Sequence, residues 1–281
     1  MIGSSGRLRR ALLLYLPLAL FGIFLLFPFY WMLVVSLRPN PDLFKTEMNP
    51  FFPWNATLAN FLYLFQQTAF VQWTVNTTIV TFASTFLSLF CSILIGYSLG
   101  RLRFRGANFM GIVIFLAYLV PPTLLFLPLA QVINTFHLYN TYWALIFTYP
   151  TFLIPFGGWI LMGYFRTIPH ELEECAMIDG AGRIRAMVSI ILPLAIPGIL
   201  SAGIFSFTLS WNEFLYALIF MGSGAMKTIP VGTVSDLITA DVYQWGSLMA
   251  AALLGSVPVA VIYSFFVDNY VSGLTAGAVK G

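Results

Sequence analysis

Residues 171–193 read ELEECAMIDGAGRIRAMVSIILP and carry four of the ten acidic residues of the chain. Pro169 stands just before them, at a position that a helix tolerates because the N–H that proline lacks would be unpaired there. The glutamates that follow lie in the first turns, where the helix dipole favours negative charge. Gly180 and Gly182 then interrupt the run, as glycines do where a helix ends and the chain turns. The stretch therefore predicts two short helices joined by a tight turn, between two apolar runs.

The composition of the chain excludes an ordinary soluble domain. Hydrophobic residues make up 59% of the 281 residues and charged residues only 8%, whereas soluble domains carry roughly 25% charged residues. The mean hydropathy is +0.89. So much apolar surface cannot be hidden inside one globule, and lipid must be the solvent for most of the chain. The sequence therefore predicts an all-α polytopic membrane protein.

Six apolar runs are long enough to cross a bilayer, since about 20 helical residues span a hydrocarbon layer of about 30 Å. They cover residues 11–35, 73–99, 108–130, 142–165, 194–220 and 247–271. The first run follows Arg7, Arg9 and Arg10, but it is longer than the apolar core of a signal peptide, which has about 7–15 residues. We therefore expect six transmembrane helices, with Pro121 and Pro122 interrupting the third.

The basic residues predict the orientation, because cytoplasmic loops of membrane proteins carry an excess of Lys and Arg. Ten of the thirteen fall on one side if both termini are cytoplasmic, and the other three are Arg38, Lys45 and Lys227. We therefore expect residues 166–193 to form a cytoplasmic loop. The predicted organisation is a first helix and extracytoplasmic loop in residues 1–72, a five-helix core in residues 73–272 and a cytoplasmic tail in residues 273–281.

A polar group near the outer end of the fifth run is the candidate for a substrate contact. Trp211, Asn212 and Glu213 adjoin there, and Tyr216 stands one helical turn after Asn212. An aromatic face beside amide and carboxylate groups suits a polyhydroxylated ligand. The alternative is an interfacial anchor, with the rings at headgroup depth and Glu213 reaching water. Tyr118, just before the proline pair of the third run, is the remaining candidate, although such prolines more often mark a simple kink.

The polar stretch resembles the signature of the membrane-spanning subunits of ATP-binding-cassette importers, E-A-A, three residues, G, nine residues, I-x-L-P. The matching residues are Glu174, Cys175 and Ala176, then Gly180, then Ile190, Leu192 and Pro193. The departure is Cys175 in place of an alanine, and the alternative is an ordinary amphipathic loop. The resemblance implies that residues 169–193 contact a separate ATPase. The residues expected in that contact are Glu173, Glu174, Cys175, Ala176, Asp179, Gly180, Ile190, Leu192 and Pro193.

Further strings resemble the second permease subunit of maltose-type carbohydrate importers. They are residues 101–106, residues 138–145, residues 211–214 and the tail 273–281. The resemblance implies the type I ABC importer permease fold in a bacterial-type cytoplasmic (inner) membrane. It also implies a second permease, two copies of an ATPase that holds ATP and Mg²⁺, an extracytoplasmic solute-binding protein and a sugar. By this resemblance the chain binds no cofactor and catalyses no reaction itself.

Other functions fit the residues less well. No P-loop motif GxxxxGK[ST] occurs in the sequence, so nucleotide chemistry must come from a partner. A secondary carrier would need titratable or ion-coordinating groups within the spans, and these are nearly absent. An intramembrane enzyme would need a Ser/His pair, paired Asp or metal ligands, and neither His137 nor His170 is placed for that. No metal site and no nucleic-acid partner are expected, while an importer of the same class for a polyol or another non-sugar solute stays open.

Overall fold

The computed structural model describes residues 10–45, 47, 49–102, 104–239 and 242–278. The helices are α1 (Leu16–Leu37), α2 (Ala59–Gln67), α3 (Phe70–Arg101), α4 (Ala107–Leu119), α5 (Pro122–Thr135), α6 (Tyr142–Thr148), α7 (Pro150–Thr167), α8 (Glu171–Ile178), α9 (Arg183–Ala186), α10 (Leu192–Leu194), α11 (Ile196–Trp211), α12 (Leu215–Phe220), α13 (Ile229–Leu237) and α14 (Trp245–Ala278). Single π-helical turns cover Ala11–Tyr15 and Met187–Ile191, and 3₁₀ turns cover Asn40–Phe44 and Gly224–Met226. Two strands of two residues each, β1 (Ile238–Thr239) and β2 (Val242–Tyr243), pair antiparallel. Apart from this short ladder, the prediction of an all-α chain is confirmed.

Within the described residues, four helical stretches are long and apolar enough to cross a membrane. They are Leu12–Leu37, Phe70–Arg101, Tyr142–Thr167 and Trp245–Phe266. Two further stretches are bent: α4 meets α5 at 94°, and Arg183–Leu194 meets α11 at 76°. Prolines stand at both bends, and proline lacks the N–H that continues a helix. Counting each bent pair as one span gives the predicted six, and the predicted interruption at Pro121 and Pro122 is confirmed.

One compact unit comprises the described residues within 1–70 and 232–257. Its first helix, α1, exposes nearly all of its apolar side chains, and none of its most apolar window of 18 residues is buried. The C-terminal end of α1 is held by Asn60, whose amide donates to the carbonyls of Ser36 and Arg38 at 2.9 and 2.7 Å. The polar segment after α1 therefore has ordered local structure, including the helix α2.

The second compact unit comprises the described residues within 71–231 and 258–281. Within this unit α7 is central, because α3, α4 and α11 all pack against it. A Cβ at Gly96 of α3 would lie only 2.8 Å from the Cβ of Leu161 in α7. The backbones of the two helices therefore touch, as small residues permit in membrane bundles. This packing brings the C-terminal ends of α3 and α7 side by side.

The predicted tail begins within α14. The helix continues through residue 273 and ends at Ala278, and residues 279–281 lie outside the described part of the chain. The basic residues Arg7, Arg9, Arg103 and Lys280, which contribute to the predicted orientation, also lie outside it.

Candidate functional site

The predicted helix–turn–helix is formed by α8 and α9. Gly180 follows α8 with a φ of +86°, in the left-handed region that glycine adopts at no steric cost. The N–H of Gly180 donates to the carbonyl of Met177 at 3.1 Å, and the N–H of Ala181 donates to that of Ala176 at 2.9 Å. These two bonds form a Schellman motif, which satisfies the last carbonyl groups of a helix. The prediction that Gly180 makes the turn is confirmed.

α8 has one face toward the chain itself and one face toward solvent. Glu173 and Ala176 are 5% and 8% exposed, and residues three apart lie on the same side of a helix. Of the other residues expected in the ATPase contact, Glu174, Cys175, Asp179, Gly180 and Pro193 are exposed, and Ile190 and Leu192 are half-buried. The motif thus combines side chains that are buried against the rest of the chain with side chains that are exposed to solvent. Glu173 and Ala176 face the interior, so any part that they take in a contact with a partner is indirect.

Glu173 is buried because it pairs with Arg101, the last residue of α3. The Nε of Arg101 donates to Oε2 of Glu173 at 3.0 Å, and the two side chains are 0% and 6% exposed. Tyr97, one turn earlier on α3, donates its hydroxyl to Oε1. Both carboxylate oxygens therefore have partners, as the burial of a charge requires. Tyr97, Arg101 and Glu173 are referred to below as the Arg101 clamp.

The guanidinium group of Arg101 also holds the end of α7. Nη1 donates to the carbonyl of Ile168, and Nη2 donates to the carbonyl of Pro169 at 3.1 Å. The last carbonyl groups of a helix have no partner within the helix, and a positive charge at this end is favourable to the helix dipole. A single side chain therefore joins α3, α7 and α8.

A cavity of about 440 Å³ opens beside the clamp. Its lining consists of Arg101, Leu102, Phe104, His170, Glu173, Glu174, Met177 and Arg183. Three further ionisable residues line the cavity outside the clamp: His170 directly precedes α8, Glu174 lies on α8, and Arg183 begins α9. A lining with so many charges does not suit acyl chains, because charged side chains are costly at apolar depth. The cavity therefore marks a polar end of the helix bundle.

The structure does not gather the five candidate substrate residues into one exposed cluster. Trp211 and Tyr216 are buried, Glu213 is half-buried, and Tyr118 and Asn212 are exposed. Trp211 stacks on the ring of Phe207 with centroids 5.5 Å apart. Contact of these residues with a substrate stays a prediction, and Tyr118 and Asn212 are the two that the chain leaves accessible.

Glu213 has a structural role that the sequence did not indicate. Its carboxylate accepts the N–H of Tyr216 at 2.9 Å and the N–H of Ala217 at 3.1 Å. It thereby caps α12, whose first N–H groups have no partner within the helix. The hydroxyl of Tyr216 donates to the carbonyl of Pro122 at 2.8 Å, so the capped helix is also joined to the start of α5.

Three side chains at the start of α3, which neither the motif nor the charge pattern singled out, hold the loop of residues 224–229. Asn76 donates two hydrogen bonds of 2.8 Å to carbonyls of this loop. Trp73 donates one of 3.1 Å, and the hydroxyl of Thr77 accepts a backbone N–H at 2.8 Å. Asn76, near the start of an apolar run, is the feature of the sequence that could have indicated this anchoring, because a buried amide needs hydrogen-bond partners.

Comparison with known proteins identifies relatives along nearly the whole chain. The model of one family, described as "Binding-protein-dependent transport system inner membrane component", matches residues 92–275. The chain is 37% identical over 270 residues to the inner membrane ABC transporter permease protein YcjP of Escherichia coli, covering 95% of each. It is 34% identical over 274 residues to the trehalose/maltose transport system permease protein MalG of Thermococcus litoralis, covering 97% of this chain and 98% of the relative.

A solved structure shares the fold. A chain from the crystal structure of a bacterial ABC transporter involved in the import of the acidic polysaccharide alginate matches with a TM-score of 0.76. The match covers 95% of this chain and 98% of that chain at 18% sequence identity, a level at which the likeness concerns the fold alone. Together with the family model, it confirms the predicted importer permease fold.

Proposed function

Because this chain belongs to the family of binding-protein-dependent transport system inner membrane components, we propose that it is a permease subunit of an ATP-binding-cassette importer for sugars. The chain forms part of the translocation path across a cytoplasmic (inner) membrane, with both termini in the cytoplasm. A separate ATPase supplies the energy, and residues 169–193 form the contact through which it acts on the permease.

The relatives support a carbohydrate as the solute. One is a trehalose/maltose permease protein, and the structural neighbour comes from an importer of a polysaccharide. Within this chain, Tyr118 and Asn212 expose a phenol ring and an amide, groups that can stack on a sugar ring and bond its hydroxyls. They are the residues of the candidate path that we assign to solute contact.

The partners follow from the same proposal. The family description names a binding protein, which delivers the solute from the outer side. A second permease completes the path, and two copies of an ATPase bind ATP and Mg²⁺. The sequence of this chain contains no P-loop motif of its own, so the nucleotide chemistry belongs to those copies.

One observation carries the assignment of the ATPase contact: α8 ends in a Schellman turn that presents Glu174, Cys175 and Asp179 to solvent. A short helix with a fixed end and an exposed polar face can dock in a cleft of a partner without rearranging. Since Glu173 holds the opposite face to the membrane helices, a partner that moves α8 also moves the bundle.

The substitution Gly180→Val tests this contact. A β-branched residue at positive φ costs about 1–2 kcal/mol or more, and no neighbouring atom lies within 4 Å of its Cβ position, so the strain falls on the turn alone. We expect normal membrane insertion, loss of labelled maltose and trehalose uptake in reconstituted vesicles, and ATP hydrolysis that no longer responds to the binding protein.

Gly182→Val is the matched control for this test. Gly182 is equally unobstructed, but its φ is −69° and its ψ is 162°, an extended conformation that valine favours. Gly182→Val therefore adds the same side chain without strain from a positive φ, and it should retain more transport than Gly180→Val. Equal transport by both variants, with ATP hydrolysis still stimulated in Gly180→Val, would show that this loop is not the contact through which the ATPase acts.

A further inference from the structure

We propose that the Arg101 clamp is the rigid joint that passes movement of α8 to α3 and α7. The inference rests on the proposed function, since it concerns how an ATPase bound at α8 moves the membrane helices. It assigns Tyr97, Arg101 and Glu173 as positioning residues, with no contact to nucleotide or solute of their own.

The first step is the completeness of the bonding in the clamp. Glu173 uses both carboxylate oxygens, one for Tyr97 and one for Arg101. Arg101 uses all three of its nitrogens, for Glu173, Ile168 and Pro169. A buried ion pair is tolerated where the geometry is good and the remaining donors and acceptors are satisfied. A tilt of α8 relative to α3 would break bonds inside this buried network, so the two helices must move together.

The second step is that α3 and α7 already form one body at this point. Besides Gly96, Gly100 brings the backbones together, since a Cβ there would lie 3.0 Å from the carbonyl oxygen of Met162. Tyr97 also packs edge-on against Phe165 of α7, with ring centroids 6.2 Å apart. The clamp shares Tyr97 with these contacts, and Arg101, which follows Gly100 directly, adds α8 to the pair.

The third step is the direction of the contacts. Glu173 and Glu174 are adjacent in sequence, but one side chain enters the clamp and the other is exposed. A force applied to the exposed face of α8 therefore reaches the guanidinium group across a single helix diameter. Hydrophobic contacts alone would let α8 slide, whereas the hydrogen bonds of a planar guanidinium group fix its orientation.

The experiment compares docking with coupling in the complete transporter, reconstituted in vesicles with its binding protein. The variant Arg101→Leu removes the clamp, and the readouts are the amount of ATPase recovered with the permease, stimulated ATP hydrolysis, and labelled maltose or trehalose imported per ATP hydrolysed. We expect unchanged ATPase recovery, hydrolysis within twofold of wild type, and at least a fivefold lower ratio of sugar to ATP.

Two variants serve as controls. Arg105→Leu removes an exposed arginine four residues after Arg101 that forms no ion pair with any described residue, and its ratio of sugar to ATP should equal that of wild type. Arg101→Lys keeps the charge but loses the fork of donors, so its ratio should lie between those of wild type and Arg101→Leu. If Arg101→Leu does not reach the membrane, Arg101→Lys and Glu173→Gln carry the test with the same readouts.

The outcomes separate the joint from the proposed function. A wild-type ratio in a fully assembled Arg101→Leu or Glu173→Gln complex would overturn the joint. Loss of ATPase recovery in these variants would also overturn it, because the clamp would then serve docking and not transmission. Failure of the proposed function would be visible in the wild-type complex itself, either as ATP hydrolysis that does not respond to the binding protein or as no ATP-driven uptake of any sugar that the binding protein carries.

Discussion

The carboxylate of Glu213 accepts two backbone N–H groups, and this bonding explains its position without a ligand. We expect Glu213→Ala to destabilise the protein by about 1 kcal/mol, the usual cost of losing a helix cap, and to leave the apparent KM for sugar uptake unchanged. Thermal unfolding of the purified complex and vesicle uptake measure the two quantities. Glu213→Gln, which keeps one acceptor oxygen, should lose less stability.

A change in KM without a change in stability would support the prediction from the sequence that Glu213 contacts the substrate. If Glu213→Gln raised KM several-fold while its thermal unfolding matched that of wild type, the carboxylate would contact the sugar. The buried positions of Trp211 and Tyr216 favour the structural role, because neither ring has a free face for a solute.

Some residues of the site could be predicted individually and others could not. Gly180 was predictable because the motif places it after a helix of known start, where a positive φ is needed. The sequence could not predict that Glu173 is buried while Glu174 is exposed. The two residues are chemically identical neighbours, and α8 has only eight residues, too few for a periodic pattern to show which face is buried. Arg101 entered the sequence argument only as one positive charge among thirteen and as the start of the string 101–106, and its pairing with Glu173 was not predictable because the two residues are 72 positions apart.

At the scale of elements, the contact between α3 and α7 depends on a glycine. Gly96→Ala places a methyl group 2.8 Å from the Cβ of Leu161, and overpacking of this kind costs typically about 1–3 kcal/mol. We expect a lower unfolding temperature of the purified complex and a lower ratio of sugar imported to ATP hydrolysed, since Gly96 adjoins Tyr97 of the clamp.

Gly163→Ala is the matched substitution on α7. No atom lies within 4 Å of a Cβ at Gly163, and alanine in an exposed helix is favoured over glycine by up to about 1 kcal/mol. This variant should therefore unfold at the same or a higher temperature. Equal unfolding temperatures for the two alanine variants would show that the close approach of α3 and α7 does not limit stability.

Breaks in helices were predictable where proline causes them. Pro121 and Pro122 predicted the interruption between α4 and α5. The composition does not predict the angle between the two helices, which is 94° and depends on tertiary packing. The break between α11 and α12 has no proline or glycine in residues 211–215. It depends on the Glu213 cap, a contact that is recognisable only when the backbone is known.

At the scale of the whole molecule, the predicted topology can be tested by labelling. Cys91 and Cys175 are the two cysteines of the chain, and Cys175 is exposed, so both are first replaced by serine. Single cysteines at Asn55, Ser223 and Thr275 then report the side of the membrane. An impermeant maleimide should label the first two in intact cells and the third only after permeabilisation. Labelling at Thr275 in sealed cells would contradict cytoplasmic termini.

The number of spans was predictable because hydrophobic length is a local property, whereas the connections between distant segments were not. The loop of residues 224–229 is bonded to Asn76 across about 150 positions of sequence. No periodicity or motif relates such segments, so this anchoring, like the clamp, emerges only from tertiary packing.

The Arg101 clamp also limits which substitutions the gene can accumulate at codons 101 and 173. Removing one partner of a buried ion pair leaves the other charge without compensation, at a cost of about 3–5 kcal/mol, a large part of the stability of a typical domain. Loss of the charge at codon 101 or at codon 173 alone therefore carries a severe defect, whereas a paired replacement by apolar residues can keep the fold. Among descendants of this sequence, the two positions should vary together or not at all.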